Sequence, residues 1–184
     1  MGRDSCRFRK EIDMDIQNLI AQMTEPEQNK AFEFSDSLSH IGGEEVVAKM
    51  MALLKDEHLE VRYLASRTLG LCKDRALALE PLLEAINDIS NKSIQGDLAE
   101  YLDEYDCSDK FVPIFKLYLF GSLKTSTMAK EILDFEEFDI TPRVIRKAEK
   151  AWKHYQSNVK QDEAFELQKK DVESFLGELK SLFE

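Results

Sequence analysis

Hydrophobic residues recur at spacings of three and four along most of this chain, which is the period of an amphipathic helix. The most regular stretch is LLKDEHLEVRYLASRTLGLCKD, residues 53–74. In it Val61, Ala65, Leu69 and Cys72 follow one another at spacings of four, four and three. The pattern predicts a helix that is buried along one face and belongs to a repeated helical hairpin.

Similar patterns predict helices on both sides of this stretch. Their apolar positions are Ile12, Ile16, Leu19, Ile20 and Met23, then Ala31, Phe34, Leu38 and Ile41, then Val46, Val47, Met50, Met51 and Leu54, and finally a run from Leu77 to Ile86. Thr24 is predicted to cap the second helix, with Pro26 in its first turn and Glu27 completing a capping box. The Gly42-Gly43 pair is predicted to end that helix in a left-handed conformation.

The chain also resembles itself at an offset of 32 or 33 residues. Asp56 recurs as Asp88, Leu54 as Ile86, Val61 as Ile94, Ala65 as Leu98 and Leu69 as Leu102. A weaker third copy begins where Pro113-Ile114-Phe115 matches Pro81-Leu82-Leu83, and it continues to Met128, Ile132 and Leu133. Pro81 predicts a kink or a late start in its own helix. We therefore predict helical repeats at about 25–55, 56–88, 89–121 and 122–139.

The C-terminal part, residues 141–184, departs from this repeat. Thr141-Pro142 is a strong helix start, with a capping residue followed by proline. The apolar face of that helix is Val144, Ala148, Ala151, Trp152 and Tyr155, and its other positions are rich in lysine and arginine. The last helix places Phe165, Val172 and Leu179 seven residues apart, and Phe175 and Leu182 likewise. We expect a pair of helices that caps the end of the repeats, or alternatively an element through which the chain dimerises.

Residues 53–88 resemble a HEAT-type repeat of the short variety found in phycobilisome-lyase-like proteins. The matching residues are Leu53-Leu54, Asp56, Val61-Arg62, Ala65, Leu69-Gly70, Asp74, Ala78, Leu82-Leu83 and Asp88. In the next copy Gln95 replaces Arg62 and Asp103 replaces Gly70. The resemblance implies an all-α, right-handed α-solenoid of antiparallel helical hairpins, closed by the longer C-terminal helices. It also implies that second helices line a concave face, and that Asp56 and Arg62 tie successive turns together.

Composition narrows the class of protein. The chain has 184 residues and a formal charge of −11, which argues against binding to phosphate backbones or anionic lipid. No apolar run approaches the roughly 20 residues that span a bilayer. An odd number of dispersed cysteines, three, favours a reducing, cytoplasmic setting. We expect a single solenoid domain over 14–184, preceded by a disordered basic leader over 1–13.

Candidate catalytic chemistry is sparse. The three histidines form no metal-ligand spacing, and no nucleophile elbow or glycine-rich phosphate loop occurs. Glu57-His58 is the reverse of the His-Glu pairs of HEAT-repeat deoxyhypusine hydroxylases, which need several such pairs to hold iron. Cys72 falls on the apolar face, where a packing role is expected. We predict no catalytic residue, no metal and no cofactor.

The remaining signal is an acidic surface. Residues 97–139 contain eleven acidic residues and four lysines. We predict that the second helices of two repeats present a partner-binding set: Glu60, Tyr63, Arg67, Asp97, Glu100 and Glu104. Tyr63 would be an aromatic anchor and the carboxylates would attract a protein partner that is basic. The predicted function is a non-catalytic interaction module, either a scaffold or adaptor or an acidic inhibitor; a second interpretation is that these acids only keep the surface soluble. The alternative function is a HEAT-like enzyme, either a DNA alkylation-repair glycosylase, hinted at by Trp152 and its neighbouring cations, or a bilin-lyase-like protein.

Overall fold

The protein is all-α, as the periodicity predicts. In the computed structural model, residues 15–25, 29–73 and 76–183 are described. Residues 15–23 are helical (α1), and the later α-helices are α2 (Ala31–Ile41), α3 (Gly43–Leu53), α4 (Leu59–Leu71), α5 (Leu79–Asn87), α6 (Gln95–Ala99), α7 (Phe111–Phe120), α8 (Leu123–Phe135), α9 (Pro142–Asn158) and α10 (Glu163–Ser181). Short 3-10 turns occur at Ala76–Ala78, Ile89–Asn91 and Leu102–Glu104. The predicted leader over 1–13 and the predicted roles of Ile12, Pro26 and Glu27 lie outside the described residues.

The chain divides into two compact units. Unit 1 is Met1–Tyr105 and unit 2 is Asp106–Glu184. The predicted repeat 89–121 contributes α6 to unit 1 and α7 to unit 2. In unit 1, α4 packs against α2, α3 and α6, and α5 packs against α6. In unit 2, α7 packs against α8 and α9, and α10 packs against α9.

The start of α2 differs from its prediction. Thr24 does not cap this helix, because its hydroxyl donates to the carbonyl of Ile20 at 3.0 Å, within the last turn of α1. The helix begins instead after Lys30, whose side chain makes no capping hydrogen bond. Helix α2 ends at the predicted glycines, and Gly42 and Gly43 both have positive φ, 60° and 82°. The conformation of Gly42 differs from the predicted left-handed stop, because its ψ is −155°. Glycine reaches that region without the steric penalty other residues incur.

The apolar face of α4 is buried as predicted. Val61, Ala65, Leu69 and Cys72 are all at most 6 % exposed. Gly70 lies on the same helix and is also buried. A Cβ at this position would lie 2.6 Å from the Cβ of Tyr101, so only glycine lets the segment after α6 approach α4 this closely.

Arg62 ties two turns of unit 1 together, as the resemblance implies. Its Nε donates to the backbone carbonyl of Asp56, before α4. Its Nη1 donates to Ser90 Oγ at 2.8 Å and Asn91 Oδ1 at 2.6 Å, in the turn after α5. The carboxylate of Asp56 does not join two turns. It accepts a hydrogen bond from the backbone N–H of His58 at 2.8 Å, within its own turn.

This last arrangement recurs with the repeat. Asp88 accepts the backbone N–H of Ser90 at 2.8 Å, as Asp56 does from His58. The same hydrogen bond is made a third time by Asp106, which is not at the repeat offset, to the N–H of Ser108 at 3.0 Å. In each case an aspartate carboxylate holds the backbone two residues later, which is an Asx turn.

Proline positions also repeat. Pro81 is the third residue of α5 and Pro113 is the third residue of α7. Both lie in the first turn, where the missing N–H has no intrahelical partner to lose. The late start predicted for the helix around Pro81 is therefore confirmed, since α5 begins at Leu79 rather than at Leu77.

Unit 2 ends in the predicted helix pair. Thr141 Oγ1 accepts the N–H of Val144 at 3.3 Å and Pro142 opens α9, as the sequence predicts. Trp152 is 6 % exposed and its ring stacks on Phe165 of α10 with centroids 5.9 Å apart. Leu182 was predicted on the buried face of α10, but it follows the end of that helix and is 68 % exposed.

Candidate functional site

The predicted partner-binding residues fall on two segments of unit 1. Glu60, Tyr63 and Arg67 lie on α4, which is the first helix of the predicted repeat 56–88. The prediction that they belong to a second helix and the predicted bounds 56–88 therefore do not agree with each other. Asp97 lies on α6, and Glu100 and Glu104 lie in and beside the 3-10 turn that follows.

Tyr101 brings these two segments together. Its hydroxyl lies 3.3 Å from the hydroxyl of Tyr63, and the two ring centroids are 6.4 Å apart. Tyr63 also meets Phe32 of α2 edge to face, with centroids 6.0 Å apart. Offset and edge-to-face pairs at such distances are favourable ring geometries. Three segments that are distant in sequence thus share one aromatic cluster.

Arg67 is the charged centre of this cluster. Its Nη2 donates to Asp36 Oδ1 at 2.7 Å, and its guanidinium lies 5.5 Å from the centre of the Phe32 ring. Arg67 is 26 % exposed at its side chain, and its Nε has no hydrogen-bond partner among the described residues. We call these five residues (Phe32, Asp36, Tyr63, Arg67 and Tyr101) the Tyr63 patch.

The ionisation states of the patch follow from its contacts. Burial alone would lower the pKa of Arg67, but hydrogen bonds to Asp36 and Tyr101 outweigh it and raise the pKa above its ordinary value. Burial, together with the hydrogen bond to Tyr63, raises the pKa of Tyr101 to about 12. At neutral pH the patch therefore holds a protonated Tyr101 and a cationic Arg67, which is hydrogen-bonded to Asp36.

Carboxylates adjoin the patch in sequence. Glu60, Glu100 and Glu104 are exposed, whereas Asp97 is half-buried. Glu100 directly precedes Tyr101, which reaches Tyr63. An exposed acidic residue therefore directly precedes Tyr101 of the aromatic cluster.

Sequence reasoning missed Phe32, Asp36 and Tyr101. Phe32 is 49 % exposed, so it does not belong to the buried face that the periodicity of α2 marks. The signal that could have found Tyr101 is Gly70, because a glycine inside a helix often marks the close approach of another segment. Nothing in the spacing of Asp36 indicates that it pairs with Arg67, 31 residues later.

No constellation typical of metal or nucleophilic chemistry occurs in the described part of the chain. Within residues 15–25, 29–73 and 76–183, no three His, Cys, Asp or Glu side chains are grouped so that they could hold a metal ion. His58 lies 3.1 Å from Asp56 and 4.0 Å from Glu57. Burial and the nearby Glu136 raise the pKa of the Cys107 thiol to about 12, so it stays protonated at neutral pH.

Trp152, the residue that suggested a DNA-binding groove, is buried inside unit 2. It is 6 % exposed, and its ring lies 5.8 Å from Tyr155 and 5.9 Å from Phe165, which are themselves 6.5 Å apart. A ring held in this way cannot stack on a base, so the hint loses its basis.

Among the described helices, none combines the length and the apolar character needed to cross a bilayer. Comparison of the chain with protein-family profiles, with curated proteins and with solved structures found no match. The similarity to short HEAT repeats, and the solenoid that it implies, therefore stay predictions that rest on the residues themselves.

Proposed function

We propose that this chain is a non-catalytic protein-interaction module of the HEAT-like kind, in which the Tyr63 patch and the carboxylates beside it bind a basic segment of another protein. The observation that carries the proposal is the meeting of Phe32, Tyr63 and Tyr101 in one partly exposed cluster. Aromatic residues of this kind dominate the binding energy of protein interfaces, because they bury a large area while losing little conformational freedom.

The charge of the patch suits a basic partner. Arg67 would repel such a partner if it were free, but Asp36 compensates it at 2.7 Å. The exposed Glu60, Glu100 and Glu104 then set the local sign. Charges of this kind mainly accelerate association, and their effect weakens as salt is added.

Unit 1 as a whole has the same sign. It contains 12 lysines and arginines and 21 aspartates and glutamates, a formal charge of −9. This charge extends the attraction of a basic partner beyond the patch and disfavours polyphosphates.

Charge reversal with a matched control tests the proposal. Glu100→Lys with Glu104→Lys changes two exposed carboxylates beside the patch, whereas Asp97 is left unchanged because it is half-buried. Glu131→Lys with Glu173→Lys makes the same change of charge at exposed positions of unit 2. Tyr63→Ala removes the aromatic anchor without changing charge.

Each variant is used for affinity capture from lysate of the source organism at low and at high ionic strength. We expect proteins that the wild type and the unit 2 control retain at low salt to be lost from both the carboxylate variant and Tyr63→Ala. If all four proteins capture the same set in equal amounts, the patch is not the binding site.

A further inference from the structure

Helix α9 carries a second charged surface, of the opposite sign. It is 17 residues long, or about 25 Å. Its buried side consists of Ile145, Ala148, Ala151 and Trp152. Its exposed side carries five cations, which we call the basic face: Arg143, Arg146, Lys147, Lys150 and Lys153.

These five cations have no carboxylate partner within 4.0 Å among the described residues, unlike Lys130 and Lys180 of unit 2. Lys130 pairs with Asp134 at 2.5 Å, and Lys180 pairs with Glu149 of α9 at 2.6 Å. On the basic face, by contrast, like charges stand three and four residues apart, a spacing that destabilises an isolated helix. Unit 2 has 13 basic and 15 acidic residues in total, so it is not basic overall. Its cations are concentrated on this one face of α9.

The side chains of the basic face and the charge of the chain favour one class of anionic partner over the others. The exposed side of α9 presents cations and polar residues but no exposed large apolar side chain that could enter a lipid surface. The formal charge of −11 of the chain disfavours a nucleic acid. An acidic polypeptide segment is the remaining complement.

Such a segment is present in unit 2 itself. Residues 134–139, Asp-Phe-Glu-Glu-Phe-Asp, form the end of α8 and the first part of its connection to α9. Glu137 and Asp139 are exposed and have no basic side chain within 4.0 Å among the described residues. Phe135 is 86 % exposed. We call residues 134–139 the acidic segment.

We propose that the basic face of α9 binds the acidic segment of a second copy of this chain, and that the contact is reciprocal in a two-fold dimer. A two-fold axis requires one patch that contains both complementary halves, and the basic face and the acidic segment are adjacent in sequence. With the axis perpendicular to α9, the segment that precedes α9 in one copy lies beside the C-terminal half of α9 in the other. There Phe135 would meet Phe120, which is 48 % exposed and packs on His154 at 5.8 Å.

Matched charge reversals test this dimer independently of the proposed function, because the Tyr63 patch is unchanged in both. The face variant is Lys150→Glu with Lys153→Glu, and the segment variant is Glu137→Lys with Asp139→Lys. All four residues are exposed, so each variant should keep its helical circular dichroism and its cooperative melting. Molecular mass is measured by sedimentation equilibrium over a hundredfold range of concentration, at low and at high salt.

We expect the wild type to dimerise at low salt, with an association constant that falls at least tenfold at high salt. Each variant alone should be monomeric, because both contacts of its dimer would then join two surfaces of the same charge. An equimolar mixture of the two variants should form mixed dimers, since both contacts are attractive again. The proposal is overturned if the wild type is monomeric, or if either reversed variant still dimerises alone. If the wild type forms no dimers but is retained on heparin or poly-glutamate through the basic face, that face binds an external anion instead.

Discussion

Helix α4 and the segment 95–104 have the same spacing of apolar residues but different backbones. Ala65 and Leu98 are both fully buried, and so are Leu69 and Leu102. Yet α4 is one helix of 13 residues, whereas the copy is a five-residue helix, a turn and a 3-10 turn. A repeated hydrophobic period therefore predicts which residues are buried better than it predicts an unbroken helix.

Two sequence differences account for the break. The copy contains Gly96, Asp97 and Asp103, residues that are unfavourable inside a helix by about 0.5–1 kcal/mol each relative to alanine. It also has Gln95 where α4 has Arg62. Gln95 donates to the carbonyl of Ile86 at 3.0 Å, in the last turn of α5, while Arg62 bonds both the turn before α4 and the turn after α5.

The largest expected effect is a charge in the shared core. Leu69→Asp and Leu102→Asp would each bury an unpaired carboxylate, which is destabilising by roughly 4 kcal/mol or more. We expect both variants to lose the cooperative melting of the helices of unit 1, monitored by circular dichroism. If Leu102→Asp melts like the wild type, then segment 95–104 does not share the core of α4.

A smaller effect is expected at the contact between the two segments. In Gly70→Ala the added methyl group would overlap Tyr101, at 2.6 Å, and overpacking of this kind is destabilising by about 1–3 kcal/mol. Gly177→Ala in α10 is the control, because no atom lies within 4 Å of its Cβ position. There the alanine should stabilise the helix by about 0.5–1 kcal/mol. Urea unfolding that shows the same sign for both glycines would contradict the close approach.

Replacing Arg62 should lower the free energy of unfolding more than replacing Gln95, which occupies the same position in the next repeat. Arg62→Ala removes hydrogen bonds to Ser90 and Asn91 and leaves the buried Asn91 with fewer partners. We expect destabilisation of about 1–3 kcal/mol, against about 0.5–1.5 kcal/mol for Gln95→Ala. Equal values in urea unfolding would mean that Arg62 does no more than Gln95.

The smallest effect concerns the Asx turns. The backbone N–H of His58 lowers the pKa of Asp56 below its ordinary value of 3.8, against a smaller opposing effect of burial. Because the pKa is lower in the folded protein, the stabilisation is present above pH 3.8 and is lost as pH falls through the folded value. Asp56→Asn keeps an oxygen acceptor but does not titrate at this position. Urea unfolding between pH 5 and pH 2 should show a shallower loss of stability for Asp56→Asn, and identical slopes would contradict this role.

Prediction from the sequence was most accurate at positions where a single local physical requirement determines the residue type. The buried face of α4, the positive φ of Gly42 and the Thr141 cap of α9 belong to this group. The Thr24 cap was wrong because a threonine hydroxyl can equally bond the carbonyl four residues earlier, here that of Ile20.

The composition of the candidate site was only partly predictable, for a different reason. Tyr63 and Arg67 could be named from their position beside the buried face of α4. Their partners Phe32 and Asp36 are brought to them by the packing of α2 on α4, a tertiary contact that the local period does not encode.

The central claim is that α4 and the segment after α6 form one partner-binding surface, and photo-crosslinking tests it most directly. A photoreactive phenylalanine analogue is placed at position 63, at position 104, or at position 167 of unit 2, where Leu167 is 68 % exposed. After irradiation in source lysate, we expect positions 63 and 104 to crosslink the same basic protein, less at high salt, and position 167 not to do so. Different adducts at positions 63 and 104, or the same adducts at all three positions, would contradict the claim.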